Sequence, residues 1–259
     1  MGEIKEPWRT ILKIAAIIIA GLLGGAGATQ VAGCGRGPTP PIPNPDKPPP
    51  VGKKDAWNAI GKLAFQGGYC SATVIGPRME DGRWVLVSAA HCVNRVGDSG
   101  TFIQRTGVSR NVRCVAVDKR ADISIWHTDA NQGEMSYTDI ASGTPSPGTK
   151  VWHGGFGRHI PGNKESGEVV GGPNGDNQVQ YQLSVSPGDS GGGICVDSDG
   201  HLLSPVCCTT RLDGPGRVWG GSPERIRQMV ATPTEFIDLP PIAMPPPPKE
   251  MPKAEPAKK

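Results

Sequence analysis

The chain has 259 residues, a formal net charge of +3, 37 glycines, 27 prolines and only 5% aromatic residues. That length holds one large or two small domains, and the glycine and proline content calls for many turns and for proline-rich segments outside any core. So balanced a charge, with the lysines concentrated in the tails, excludes a basic nucleic-acid-binding face and makes the tails solvated linkers.

At the N-terminus Lys5, Arg9 and Lys13 precede the apolar run Ile14 to Leu23, which grades into Gly24-Gly25-Ala26-Gly27-Ala28. Positive charge ahead of an apolar stretch holds the start in the cytoplasm and sends the downstream chain across the membrane, so residues 1–34 read as a signal peptide or membrane anchor. Three fates are open to this segment. Cleavage occurs after Ala28; or Val31-Ala32-Gly33-Cys34, which resembles a bacterial lipoprotein box, is cut before a lipidated Cys34; or the uncharged stretch Ile14 to Gly33 stays as an anchor. Each implies export. The expected location is the cell envelope, with membrane contact through this segment only.

Setting Cys34 aside leaves an even set of cysteines: Cys70, Cys92, Cys114, Cys195, Cys207 and Cys208. After an export signal such a set points to disulfides rather than catalytic thiols. No C-x-x-C pair occurs and the histidines are scattered, so no metal and no cofactor is expected.

Residues 35–54 form a proline-rich spacer and residues 239–259 a Pro/Lys-rich tail, neither able to build a core. The folded part is expected over 55–238. Short apolar runs bounded by turns recur there: Ile60 to Phe65, Cys70 to Ile75, Trp84 to Ser88, Thr101 to Gln104, Val112 to Val117, Ile123 to His127, Val151 to His153, Gly167 to Val170, Val179 to Val185, Ile194 to Val196, Leu202 to Thr209 and Val218 to Gly220. That density of strands predicts an all-β sandwich or barrel. Only Pro223 to Val230 reads as helix, with Ser222 as its N-cap and proline in its first turn. No internal repeat is visible.

Three stretches carry chemistry. Trp84-Val85-Leu86-Val87-Ser88-Ala89-Ala90-His91-Cys92 is a buried strand that presents a histidine where it stops. Asp122-Ile123-Ser124-Ile125 places an aspartate at the head of another. Pro187-Gly188-Asp189-Ser190-Gly191-Gly192-Gly193 sets a serine in a tight glycine turn between strands, where backbone N–H groups converge beside the hydroxyl. Each is ordinary alone. Together they supply a weak nucleophile, the imidazole that takes its proton and the carboxylate that orients the imidazole.

In the order His91, Asp122, Ser190 these motifs resemble the catalytic set of the trypsin/chymotrypsin-like serine peptidases, and Gly155-Phe156-Gly157 is similar to a turn of that family's second barrel. The resemblance spans about Ile60 to Val230. It implies an all-β fold of two antiparallel six-stranded β-barrels with a short C-terminal helix and the active site between the barrels. It also implies a disulfide between Cys70 and Cys92; the other cysteines allow three pairings, with a vicinal Cys207-Cys208 bridge the least attractive geometrically. Ser190 is then the nucleophile, His91 base and acid, and Asp122 its orienting group, with activity falling below about pH 6.5 for an unperturbed imidazole. The N–H groups of Gly188 and Ser190 form the oxyanion hole, worth about 3–4 kcal/mol per donor.

Two departures from the family pattern matter. No Ile-Val-Gly-Gly-type start precedes Ile60 to pair with Asp189, so a domain active without that cleavage is expected, with a different partner for Asp189. At the base of the substrate pocket the family position falls on Ser184, which argues against a basic P1 residue, and Thr209 narrows the pocket. A small or medium uncharged P1 residue is expected, with an acidic one, favoured by His201 and the Thr209-Thr210 pair, as the alternative. The expected function is an exported serine endopeptidase acting on protein or peptide substrates. Its rival is a catalytically inactive binding module on the same fold.

Overall fold

The computed structural model describes residues 52–236 apart from 77, 78 and 131. The signal or anchor segment with Cys34, most of the proline-rich spacer and the C-terminal tail lie outside the described residues. Thirteen strands make up most of the regular secondary structure of the described residues.

A four-residue helix, α1 (Ala56–Ala59), is capped by Asp55, whose side chain accepts from Asn58 N. Six strands come next in the chain: β1 (Ile60–Phe65), β2 (Gly68–Ile75), β3 (Val85–Ser88), β4 (Ser99–Gln104), β5 (Ser109–Asp118) and β6 (Ile123–Thr128). They close into an antiparallel barrel in the order β1-β2-β3-β6-β5-β4. Leu63, Val74, Trp84, Leu86, Phe102 and Trp126 fill it. Closure leaves no edge strand exposed, as so many short strands require.

The second half comprises β7 (Lys150–His153), β8 (Glu165–Gly171), β9 (Gln178–Val185), β10 (Gly193–Val196), β11 (Leu202–Pro205), β12 (Cys208–Thr209) and β13 (Gly214–Gly221). They form a seven-stranded sheet, β11-β10-β7-β8-β9-β13-β12, rather than the closed six-stranded barrel expected. The difference arises in one predicted strand. The run Leu202 to Thr209 breaks after Pro205, because Val206 turns to the serine loop: Gly191 N donates to Val206 O at 2.8 Å and Val206 N to Gly192 O at 2.9 Å. Along β9 burial alternates without exception, so Val179, Tyr181, Leu183 and Val185 face the core.

Between the halves Ile60, Val87, Ile125, Trp152, Leu202 and Met229 pack as a third apolar cluster. The helix α2 (Pro223–Ala231) starts on the predicted cap, with Ser222 Oγ accepting from Arg225 N at 3.2 Å, and buries Ile226 and Met229 in that cluster. Its cap is worth about 1 kcal/mol. The strand ends that carry His91, Asp122 and Ser190 therefore rest on one continuous core.

Candidate active site

His91 sits in a 3-10 turn, Ala90–Cys92, directly after β3. Lys119 Nζ holds that turn by donating to Ala90 O and Val93 O, each at 2.6 Å. Asp122 precedes β6 with φ 55°, in the left-handed region that aspartate tolerates better than most residues. This backbone aims its carboxylate at the histidine turn. Oδ1 accepts from His91 N and Oδ2 from His91 Nδ1, both at 2.7 Å. One carboxylate thus fixes both main chain and ring, and with the Nδ1 proton engaged, Nε2 is left to take a proton.

Asp122 is 7% exposed. Burial pushes its pKa up, but hydrogen bonds from His91 and from the Cys207 thiol outweigh it and hold the carboxylate below its ordinary range. In return the Asp122 carboxylate, and after it the contact with Cys92, raises His91 well above the ordinary imidazole value, against the opposing effect of burial.

The serine loop docks on β2 through Ser71. Ser71 N donates to Ser190 O at 2.8 Å, and Ser71 Oγ donates to Gly188 O at 2.9 Å. Behind it Ser88 Oγ donates to Ser71 O at 2.7 Å. Gly191, at φ +82°, is obligatory: a Cβ there would lie 2.1 Å from Ser71 O and 2.2 Å from Ser88 Oγ. The loop leaves the N–H groups of Gly188 and Ser190 without an acceptor among the described residues. Unpaired backbone donors beside the serine are what an oxyanion requires.

Gly188, Ser190, His91, Tyr69 and Cys70 line one open groove of about 440 Å³. Among the described residues Ser190 Oγ makes no hydrogen bond. Such bonds are long in unliganded sites and tighten once substrate is in place.

Asp189 turns away from the groove and has an internal set of partners in place of a new N-terminus. Its Oδ1 accepts from Gly157 N at 2.9 Å, its Oδ2 from Ser186 N at 2.8 Å, and His153 Nε2 lies 3.5 Å from Oδ2. Burial works against ionisation, but the contact with His153 and these amides prevail and keep the carboxylate ionised below its ordinary range.

Several expected residues lie elsewhere. Ser184 is not in the groove: the two-residue period of β9 turns Leu183 and Val185 inward, so Ser184 pairs with Pro215 on the outer face. His201 is engaged away from the site, 3.1 Å from Lys54 Nζ and 3.3 Å from Asp199. Thr209 does lie against β13, but its hydroxyl closes a turn, donating to Arg211 O at 2.8 Å and accepting from Arg211 N at 3.1 Å.

Among the described residues no disulfide is formed. Cys70 and Cys92, the pair expected to bridge, are neighbours with both thiols free, and Cys70 Sγ lies 3.3 Å from Ser88 Oγ. Cys207 and Cys208, the pairing least favoured on geometry, bring their Sγ atoms within 2.9 Å.

Four residues that position the site carried no motif: Ser71, Lys119, His153 and Cys207. Only His153 left a trace, as a polar residue at an inward position of a strand that runs into Gly154-Gly155.

The family model of the trypsin-like peptidase domain matches residues 70–203. No curated protein matches the chain in sequence. In fold it is similar to a solved structure of the HtrA-type protease AlgW with a tripeptide, at a TM-score of 0.56 and 15% identity, over 68% of this chain and 60% of that one. The match therefore spans less than two thirds of that protease. With the matched stretch covering more than half of its residues, this chain belongs to the trypsin-like peptidase family.

Proposed function

We propose that this protein is a serine endopeptidase that hydrolyses peptide bonds through an acyl-enzyme. The observation that carries the reading is the pair of 2.7 Å bonds from His91 to Asp122 at the edge of the groove that holds Ser190. Ser190 Oγ attacks the scissile carbonyl while His91 Nε2 takes its proton and then delivers it to the leaving amine. Water, activated by the same imidazole, releases the acyl group. Asp122 stabilises the imidazolium, and the amides of Gly188 and Ser190 receive the oxyanion. Hydrolysis of an unstructured protein substrate by the full chain tests this, with loss of turnover in Ser190→Ala as the expected result. The rival, an inactive binding module, draws its support from the unbonded Ser190 hydroxyl and requires that turnover be absent or indifferent to that substitution.

For the substrate, Arg211 favours an acidic P1 residue over the uncharged one. Its side chain lies along β13, with Cβ 3.1 Å from the Cβ position of Gly216 and Nε 3.1 Å from that of Gly214. Gly214 pairs with Val185, at the end of the strand that leads into the serine loop. Among the described residues the guanidinium has no acceptor. An unpaired guanidinium is a ready partner for a carboxylate.

On the same reading the domain lies outside the cytoplasm, held at the envelope by the N-terminal segment. Mass spectrometry of the mature N-terminus, giving lipidated Cys34, a start at Thr29 or intact Met1, decides among its fates.

A further inference from the structure

Cys207 and Cys208 form a vicinal dithiol against the catalytic carboxylate. Cys207 directly succeeds the Val206 segment that bonds the serine loop, and its own N donates to Trp219 O at 2.8 Å. Its thiol hydrogen-bonds the Asp122 carboxylate on one side and meets Cys208 Sγ at 2.9 Å on the other. Gln178 Nε2 also contacts Cys207 Sγ, at 3.8 Å. Cys207 is buried at 9% exposure, whereas Cys208 opens to solvent. One sulfur is thus reachable from outside while the other touches Asp122.

We propose that Cys207-Cys208 is a modification site for low-molecular-weight disulfides, at which thiol–disulfide exchange closes a vicinal bridge and lowers peptidase turnover. The exchange balances in two steps. Cys208, as thiolate, attacks one sulfur of a disulfide R–S–S–R; that S–S bond breaks, a Cys208–S–S–R bond forms and one RS⁻ leaves. Cys207 then gives up its proton to the released thiolate and attacks the Cys208 sulfur, expelling the second RS⁻. Two cysteine thiols are oxidised, and one disulfide is reduced to two thiols.

Separate observations suit each step. Cys208 is the solvent-exposed sulfur of the pair, and its contact with Cys207 holds it below the ordinary thiol range, which makes it the attacking one. Cys207 waits at 2.9 Å, so the second step needs no movement of another segment. Adjacent Cα atoms are only about 3.8 Å apart, below the usual span of a disulfide. Such a bridge is strained and easily reduced, which makes it reversible rather than a structural staple. Once it closes, Cys207 has no S–H left to donate to Asp122. Removing one hydrogen bond to a carboxylate that stabilises the imidazolium is expected to cost about tenfold in turnover.

The effect on turnover rests on the peptidase reading; the bridge itself does not. The full chain is incubated with oxidised glutathione, and the peptide holding both cysteines is then mapped by mass spectrometry. Loss of two hydrogens on that peptide, reversed by dithiothreitol, is expected, and Cys208→Ser should abolish it while keeping basal turnover in reductant. An untouched pair, or a stable glutathione adduct that never resolves, overturns the proposal. So does an inhibition that survives in Cys208→Ser, which would assign it to another thiol such as Cys92. Fluorophosphonate labelling of Ser190 in the reduced protein, run in parallel, reports on the peptidase reading alone.

Discussion

His153 Nε2 stands 3.5 Å from Asp189 Oδ2, behind the loop that carries Ser190. A buried histidine on β7 and the amides of Gly157 and Ser186 surround the Asp189 carboxylate. The loop is therefore held in shape by groups that the folded domain already contains. Replacing Asp189 by Ala removes the acceptor of two amides, those of Gly157 and Ser186, and a loss of about 3 kcal/mol is expected in urea titration. The pH dependence has a definite sign. A carboxylate whose folded pKa is depressed adds stability that is present above its unfolded value, near 3.9, and is lost as pH falls through the folded one. Asp189→Asn should flatten that acid limb.

The His91–Asp122 pair sets the pH profile. Because the carboxylate raises the imidazole pKa, neutral His91, the form able to act as base, is populated only as pH rises through that raised value. The acid limb of kcat/KM is then expected above pH 6.5, correcting the value for an unperturbed imidazole. Asp122→Asn should move the limb downward and lower kcat by about 10⁴-fold. A pH series on both proteins checks this.

Gly191 is a packing constraint rather than a chemical one. Ala there forces a methyl group onto Ser71 O and Ser88 Oγ at a positive φ. A loss of about 3 kcal/mol or more is expected, with reaction at Ser190 impaired in whatever folds. Thermal unfolding and active-site titration of Gly191→Ala measure both.

Arg211 governs P1 preference in the proposed reading. Arg211→Ala should lower kcat/KM for peptides with Glu at P1 by roughly 10- to 100-fold, the value of a charge-assisted hydrogen bond. Peptides with Ala at P1 should be cut as before. Equal losses on both sets would return the pocket to an uncharged P1.

The strands, the C-terminal helix and its Ser222 cap were legible because periodicity and capping are local. The candidate set His91, Asp122 and Ser190 stood out by residue type and order; the structure bonds the first two and puts Ser190 on the same groove as His91. What stayed hidden was set by contacts distant in sequence. The break between β11 and β12 depends on the serine loop claiming Val206, and His153 meets Asp189 only through the β7–β10 pairing. Ser184 misled because a position counted back from the nucleophile carries no information about which face of β9 it lies on.

The most direct test is covalent: the intact, reduced protein is treated with a fluorophosphonate at a pH above the acid limb, and the adduct is located by mass spectrometry. The expected result is a single adduct on Ser190, abolished in Ser190→Ala and slowed by orders of magnitude in His91→Ala. A well-folded protein that takes up no label at Ser190, or labels there as fast without His91, would contradict a triad built on the His91–Asp122 bonds.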